Sequence, residues 1–241
     1  MLESPFVTEK PLLILASNSP RRRQLLGLAG WEFTVLAADV DESQQPNESP
    51  AEYVLRLAET KARAIRADAE QLVLAADTTV VDGQDILGKP QNNAEAIAML
   101  KRLRGRTHQV YSGIALLRLN DKRSTTVPRS LGGGPVDGLL LKDICITDVP
   151  MRDYSDEEIE AYVQTGDPLD KAGAYAIQHP EFHPVASLEG CFASVMGLPM
   201  CHVIRLMRKM NIQPDPGFFA SCATLLEYQC PVSNTILSGE M

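Results

Sequence analysis

A few cationic and acidic side chains stand where phosphate chemistry would want them. The run Ser17-Asn18-Ser19-Pro20-Arg21-Arg22-Arg23 joins a short apolar stretch to a helical one. Ser19 is a good N-cap and Pro20 a good first helical residue. Free N–H groups at a helix start, together with the helix dipole, attract phosphate. The same dipole disfavours arginine there, so Arg21, Arg22 and Arg23 in the first turn point to a bound polyanion. A solvated basic face is the competing reading. The glycines and the Gly-Lys-Ser/Thr ending of a Walker loop are absent.

Three further positions carry charge of interest. On a helix beginning after Ser49, Val54, Leu57, Ala58 and Ile65 form an apolar stripe, and Lys61 falls near its centre. A lysine there either snorkels to water or meets a buried anion. Asp77 follows Val73-Leu74-Ala75-Ala76, at what reads as the carboxyl end of a buried strand. Ligands of open α/β sheets bind at that edge, and a turn aspartate is the alternative. Lys89, in the turn Gly88-Lys89-Pro90, can return to the same edge. The loop carrying Asp39 and Glu42 offers oxygen ligands suited to a hard cation such as Mg²⁺, or is simply solvated.

These side chains need a scaffold. Segments at 11–16, 31–37, 72–76, 108–119 and 191–196, and the alternating stretch 140–151, read as strands. Between them lie capped helices: from Pro20 to about Ala29, from a Ser49/Glu52 capping box to about Ala69, from Asn92 to about Arg104, and from a Ser155/Glu158 box to Gly166. Another helix opens after Gly197-Leu198-Pro199 and runs to about Met210. Strand and helix interleave, which predicts an α/β fold with a mixed sheet. The glycine-rich stretch 120–139 reads as an exposed hairpin connection or insertion. The tail from residue 211 has no secure elements, apart from one short helix expected near 218–228.

Composition narrows the function. The chain has 241 residues, 44% hydrophobic and 22% charged, which excludes disordered, collagenous and coiled-coil classes. A net charge of −8 argues against a nucleic-acid partner, because that needs a broad basic face. No apolar run approaches a membrane span and no signal peptide is visible, so a cytoplasmic location is expected. His179, His183 and Cys191, with Cys201 or His202, form one zinc-like set, but Pro180 and Pro184 spoil its helical spacing. No G-x-S-x-G is present. The five cysteines are expected to be reduced thiols; a Cys222–Cys230 bridge is possible and unsupported.

Six ordered segments then carry a resemblance. Leu15-Ala16-Ser17-Asn18-Ser19-Pro20-Arg21-Arg22, Ala75-Ala76-Asp77-Thr78, Gly88-Lys89-Pro90, Val110-Tyr111-Ser112-Gly113, the run Asp167-Pro168-Leu169-Asp170-Lys171-Ala172-Gly173-Ala174-Tyr175-Ala176-Ile177-Gln178, and Val195-Met196-Gly197-Leu198-Pro199 resemble the motifs of Maf proteins, the nucleoside triphosphate pyrophosphatases. The likeness covers about residues 11–209. It implies a twisted mixed sheet with flanking helices and two lobes around a central cleft, as in the inosine-triphosphatase superfamily. It also implies cleavage between the α and β phosphates, a divalent cation (Mg²⁺ or Mn²⁺) and a homodimer. Arg21, Thr78 and Gln178 match the branch acting on dTTP and UTP.

On that resemblance the expected domain is 11–210, with a short extension at 1–10 and a tail at 211–241. The expected substrate site is Ser17, Arg21, Arg22, Thr78 and Gln178. Lys61 and Lys89 would neutralise phosphate charge. Asp77 would activate water and, with Glu42, hold the metal. A pyrophosphatase for modified nucleotides and a non-catalytic cell-division regulator are the alternatives.

Overall fold

The computed structural model describes residues 11–68, 71–119, 138–213, 222–224 and 226–239. Most of the insertion at 120–139 and part of the expected helix at 218–228 lie outside them. Six strands form one mixed sheet: β1 (Leu12–Leu15), β2 (Phe33–Val35), β3 (Gln71–Asp82), β4 (Asp85–Leu87), β5 (Thr107–Leu119) and β6 (Gly138–Pro150). Their order is β2-β1-β3-β5-β6, with β4 beside β3. The β1 pairs are parallel; β3 with β4, β3 with β5 and β5 with β6 are antiparallel.

The helices are α1 (Pro20–Gly27), α2 (Pro50–Ala64), α3 (Asn93–Leu103), α4 (Asp156–Gln164), α5 (Phe192–Val195) and α6 (Met200–Lys209), with a last one at Ser233–Ser238. Ser19, Ser49, Asn92 and Ser155 accept hydrogen bonds from backbone N–H groups of the first turns, as their types predict. Residues 167–178 hold two 3₁₀ turns, Asp167–Asp170 and Ala172–Ala174.

Three expectations are corrected. The helix from Ser49 stops at Ala64, not near Ala69; Ile65 is already extended, because the chain must turn back to enter β3 at Gln71. Residues 191–196 are not a strand. Their hydrogen bonds close locally, Val195 N–H onto the Cys191 carbonyl and Met196 N–H onto that of Phe192, and make α5. A six-residue, mostly apolar segment fits either element, and periodicity alone does not separate them. Asp77 does not end its strand, since β3 runs on to Asp82.

That last correction explains the site. β1 pairs with Gln71 to Leu74 and then stops, and β4 joins β3 only at Val80. Between these points β3 has β5 on one side and no strand on the other. The open edge is therefore set by the carboxyl end of β1. Alternation along β3 divides the side chains there. Val73 and Ala75 face a small cluster with Ala58 and Ala62 of α2, while Leu72, Leu74 and Ala76 join the large core with Leu25 of α1 and Val203 of α6. Asp77 continues the first series and Thr78 the second.

Gly113 sets how closely α2 approaches. It pairs with Asp77 in register, and a Cβ on it would lie 2.7 Å from the Val54 carbonyl oxygen. Neither backbone can yield cheaply. Gly113→Ala is expected to cost about 2 kcal/mol through overpacking, lowering the thermal midpoint by roughly 5 °C. An unchanged midpoint would mean that α2 does not rest on β5 this tightly.

Candidate active site

The gap in the sheet opens into a cleft of ≈ 880 Å³. Ser17, Arg21, Arg22, Glu42, Lys61, Asp77, Thr78, Lys89 and Gln178 all line it. Side chains as far apart in sequence as Ser17 and Gln178 thus share one hollow. Arg23 does not; it is exposed and donates to the Asn18 carbonyl at 2.9 Å.

Lys61 does not snorkel. Its Nζ donates to Asp77 Oδ1 at 2.6 Å and sits 2.6 Å from Glu42 Oε1. Lys61 is 8% exposed and Asp77 7%. α2 supplies the lysine from its inward stripe, beside Leu57, Ala58 and Ala62. The loop after β2 supplies Glu42, and its backbone is tied to α2. Tyr53 Oη donates to the Glu42 carbonyl at 2.9 Å, and Arg56 Nη2 to that of Ser43 at 3.0 Å.

The two carboxylates are driven apart electrostatically. Burial pushes the Asp77 pKa up, and the attraction of Lys61 and Arg22 only partly offsets this. Burial also acts to raise Glu42, but the Lys61 hydrogen bond and charge outweigh it and hold Glu42 below the usual range. Beside them, desolvation and the two nearby negative charges raise the Tyr53 phenol to about 12, so it remains a neutral donor.

Arg22 ties the other wall together. Its Nε donates to the Gly197 carbonyl at 2.8 Å, Nη1 to Ser17 Oγ at 3.2 Å and Nη2 to Thr78 Oγ1 at 3.2 Å. Burial lowers its pKa, with Asp77 acting in the opposite direction. Thr78 Oγ1 lies 2.8 Å from Ser112 Oγ, which donates to the Ser194 carbonyl. Three bonds still leave guanidinium N–H groups free for a ligand. Gly197, at φ 106°, is needed there, because a Cβ would come within 3.2 Å of Thr78 Oγ1.

The family model described as Maf-like protein matches residues 12–210. The chain belongs to this family. Among its relatives, the dTTP/UTP pyrophosphatase of Dehalococcoides mccartyi (strain 195) is 40% identical over 209 residues, covering 86% of each chain. That of Geobacter metallireducens is 43% identical over 204 residues, covering 84% of this chain and 98% of its own. A solved HAM1 protein from Coxiella burnetii overlaps 60% of this chain and 74% of its own, at 15% identity and a TM-score of 0.35.

Several residues of this Maf-like site escape sequence reasoning. Lys171 is buried and donates to the Asp167 carbonyl, Asp167 Oδ1 and Asp170 Oδ1 at 2.6, 2.8 and 2.6 Å. It fixes the turn leading to Gln178, and Gly173 N–H of the same turn donates to the Gly88 carbonyl beside Lys89. Asp170 also lies 3.9 Å from Arg21. Tyr53 and Ser112 are likewise silent in spacing, although Ser112 lies inside a motif quoted above. Among the described residues no three His, Cys, Asp or Glu side chains gather as a metal site, so the zinc-like set at 179–202 does not assemble.

Removing Lys61 should expose the cost of burying Asp77. Lys61→Met leaves that carboxylate with Arg22 as its remaining close cation, so its folded-state pKa rises further above the unfolded value. The folded form then binds more protons than the unfolded form, and stability falls as pH rises through that window. The variant should lose about 3 kcal/mol at pH 7 and recover towards pH 4, and adding Asp77→Asn should restore most of the loss. Denaturant unfolding at both pH values checks this; a loss independent of pH would contradict the pairing.

Proposed function

We propose that this chain hydrolyses nucleoside triphosphates, dTTP and UTP foremost, to the nucleoside monophosphate and pyrophosphate. The observation that carries the reading is the convergence of Lys61, Asp77 and Glu42 beside the N-terminus of α1. Family membership, with relatives named dTTP/UTP pyrophosphatases, supports it.

The chemistry follows from the placement. The triphosphate lies along the Ser17–Arg22 turn, where α1 N–H groups and guanidinium donors meet its oxygens. Lys89, exposed on the opposite rim, and Lys61 neutralise charge that grows on the departing pyrophosphate. Asp77 Oδ1 is engaged by Lys61, and no hydrogen bond among the described residues engages Oδ2. Oδ2 is the oxygen that takes the proton of the attacking water. A carboxylate whose pKa is raised by burial is the better base for this step.

Glu42 and Asp77 fit a divalent cation. Mg²⁺ is commonly held by one or two carboxylates plus substrate phosphates, and Glu42 and Asp77 would hold it together once Lys61, which now lies between them, turns to the substrate phosphate. Mg²⁺ or Mn²⁺ held there would supply charge neutralisation at the phosphate oxygens.

Gln178, exposed on the rim, presents an amide that can both donate and accept. It pairs with the base, suiting uracil or thymine, while the Thr78 hydroxyl accepts from Arg22 and holds that guanidinium in the cleft. We take the cytoplasm, where such substrates are made, as the compartment and a homodimer as the working unit. No described helix is long and apolar enough to cross a membrane.

Pyrophosphate release with Mg²⁺ across a panel of canonical and modified triphosphates tests the proposal. dTTP and UTP should rank first by kcat/KM, and Asp77→Asn should cut kcat by at least about 10² with its circular dichroism unchanged. Orthophosphate as the product, or near-parental turnover by the variant, would overturn it.

A further inference from the structure

Behind one wall of the cleft, hydrogen bonds among Arg22, Thr78, Ser112, Ser194 and Gly197 close into a ring. Arg22 Nε donates to the Gly197 carbonyl at 2.8 Å. Gly197 N–H donates to the Ser194 carbonyl at 2.9 Å, and Ser112 Oγ donates to the same carbonyl at 2.8 Å. Ser112 Oγ lies 2.8 Å from Thr78 Oγ1, which accepts from Arg22 Nη2 at 3.2 Å. Strand register makes this possible. Thr78 and Ser112 are direct partners across β3 and β5, so their hydroxyls meet on one face. Arg22, Thr78 and Gly197 line the cleft, whereas Ser112 and Ser194 are fully buried and do not.

Counting protons gives the ring a direction. Each hydroxyl has one proton to donate. The Ser112 proton goes to the Ser194 carbonyl, so the Thr78–Ser112 bond takes its proton from Thr78. The opposite arrangement turns the Ser112 proton onto Thr78 and sends the Thr78 proton to the Gly197 carbonyl. That contact is 3.4 Å long, against 2.8 Å for the bond it replaces, and Arg22 Nε already donates there. The shorter set is the stronger one. Thr78 therefore shows Arg22 a lone pair and keeps its proton turned inward.

We propose that Ser112 is a positioning residue for phosphate binding: it fixes the Thr78 hydroxyl as an acceptor, and Thr78 in turn aims the Arg22 guanidinium. The inference rests on the reading of Arg22 as a phosphate donor. A guanidinium has five N–H groups; Ser17, Thr78 and Gly197 take three, which leaves two for a ligand. Holding those two in direction beforehand spares side-chain entropy on binding. Without the Ser112 hydroxyl, the Thr78 proton turns to the Gly197 carbonyl and competes there with Arg22 Nε. The effect falls on binding rather than on the chemical step, since Asp77 faces the other side of β3. Ser112→Ala still leaves the Ser194 carbonyl paired with Gly197 N–H, so the variant is expected to fold.

The test compares the parent, Ser112→Ala, Thr78→Val and the double variant. Each is titrated calorimetrically with inorganic tripolyphosphate without divalent cation, and assayed for pyrophosphate release from dTTP with Mg²⁺. Ser112→Ala should weaken tripolyphosphate binding about tenfold and raise KM about tenfold, leaving kcat within about twofold. In the Thr78→Val background the same substitution should change neither value, because its effect passes through Thr78. A Ser112→Ala chain that binds like the parent would overturn the inference. So would a fall in kcat with KM unchanged, or losses that simply add in the double variant, as a merely structural role would give. A parent that binds tripolyphosphate and shows the coupling, yet releases no pyrophosphate, would refute the proposed activity and leave the role of Ser112 standing. A parent that binds no tripolyphosphate would overturn both.

Discussion

One buried ammonium group organises this molecule's chemistry. Lys61 lies between Asp77 and Glu42, 2.6 Å from an oxygen of each, in a part of the sheet where a strand is missing. Asp77 is buried and Glu42 reaches in from an exposed loop; without a cation between them, desolvation and the neighbouring charge would protonate the buried one. Lys61 makes the arrangement tolerable. It also leaves the two acids unequal, with Asp77 the stronger base and Glu42 the more firmly ionised. An unequal pair suits a proton acceptor beside a cation ligand.

The fold serves that arrangement by interruption. β1 ends four residues into its partnership with β3, and β4 begins only at Val80. The exposed flank of β3 between them gives Asp77 to one face and Thr78 to the other. α2 brings Lys61 to the first, and α1 brings Arg22 to the second. Arg22 is a structural tie, since Ser17, Thr78 and Gly197 hold its guanidinium in place, and the proposed reading makes it a phosphate donor too. A side chain held this way loses little further freedom when a ligand binds, which preserves affinity.

Much of this was legible in the sequence. The capping serines and asparagine marked four helix starts correctly, because caps act locally. Lys61 stood out as a charge in an apolar stripe, and the structure supplies the buried anion that such a residue needs. Other features are long-range and left no local trace. Asp77 looked like a strand end because the chain turns polar there, yet β5 carries β3 onward to Asp82. α5 looked like a strand because a six-residue, mostly apolar segment carries no period of its own. Lys171 stood inside a motif without a role of its own, and only the 3₁₀ turn, which wraps three acceptors around it, shows one.

The most direct test is a crystal structure with a non-hydrolysable dUTP analogue carrying an imido group between the α and β phosphorus atoms, in the presence of Mg²⁺. The triphosphate should lie against the Ser17–Arg22 turn, with Lys61 within hydrogen-bonding distance of a phosphate oxygen and a water between Asp77 and the phosphorus it attacks. A triphosphate seated outside the gap between β1 and β4, with Lys61 and Asp77 still paired and untouched, would contradict the account.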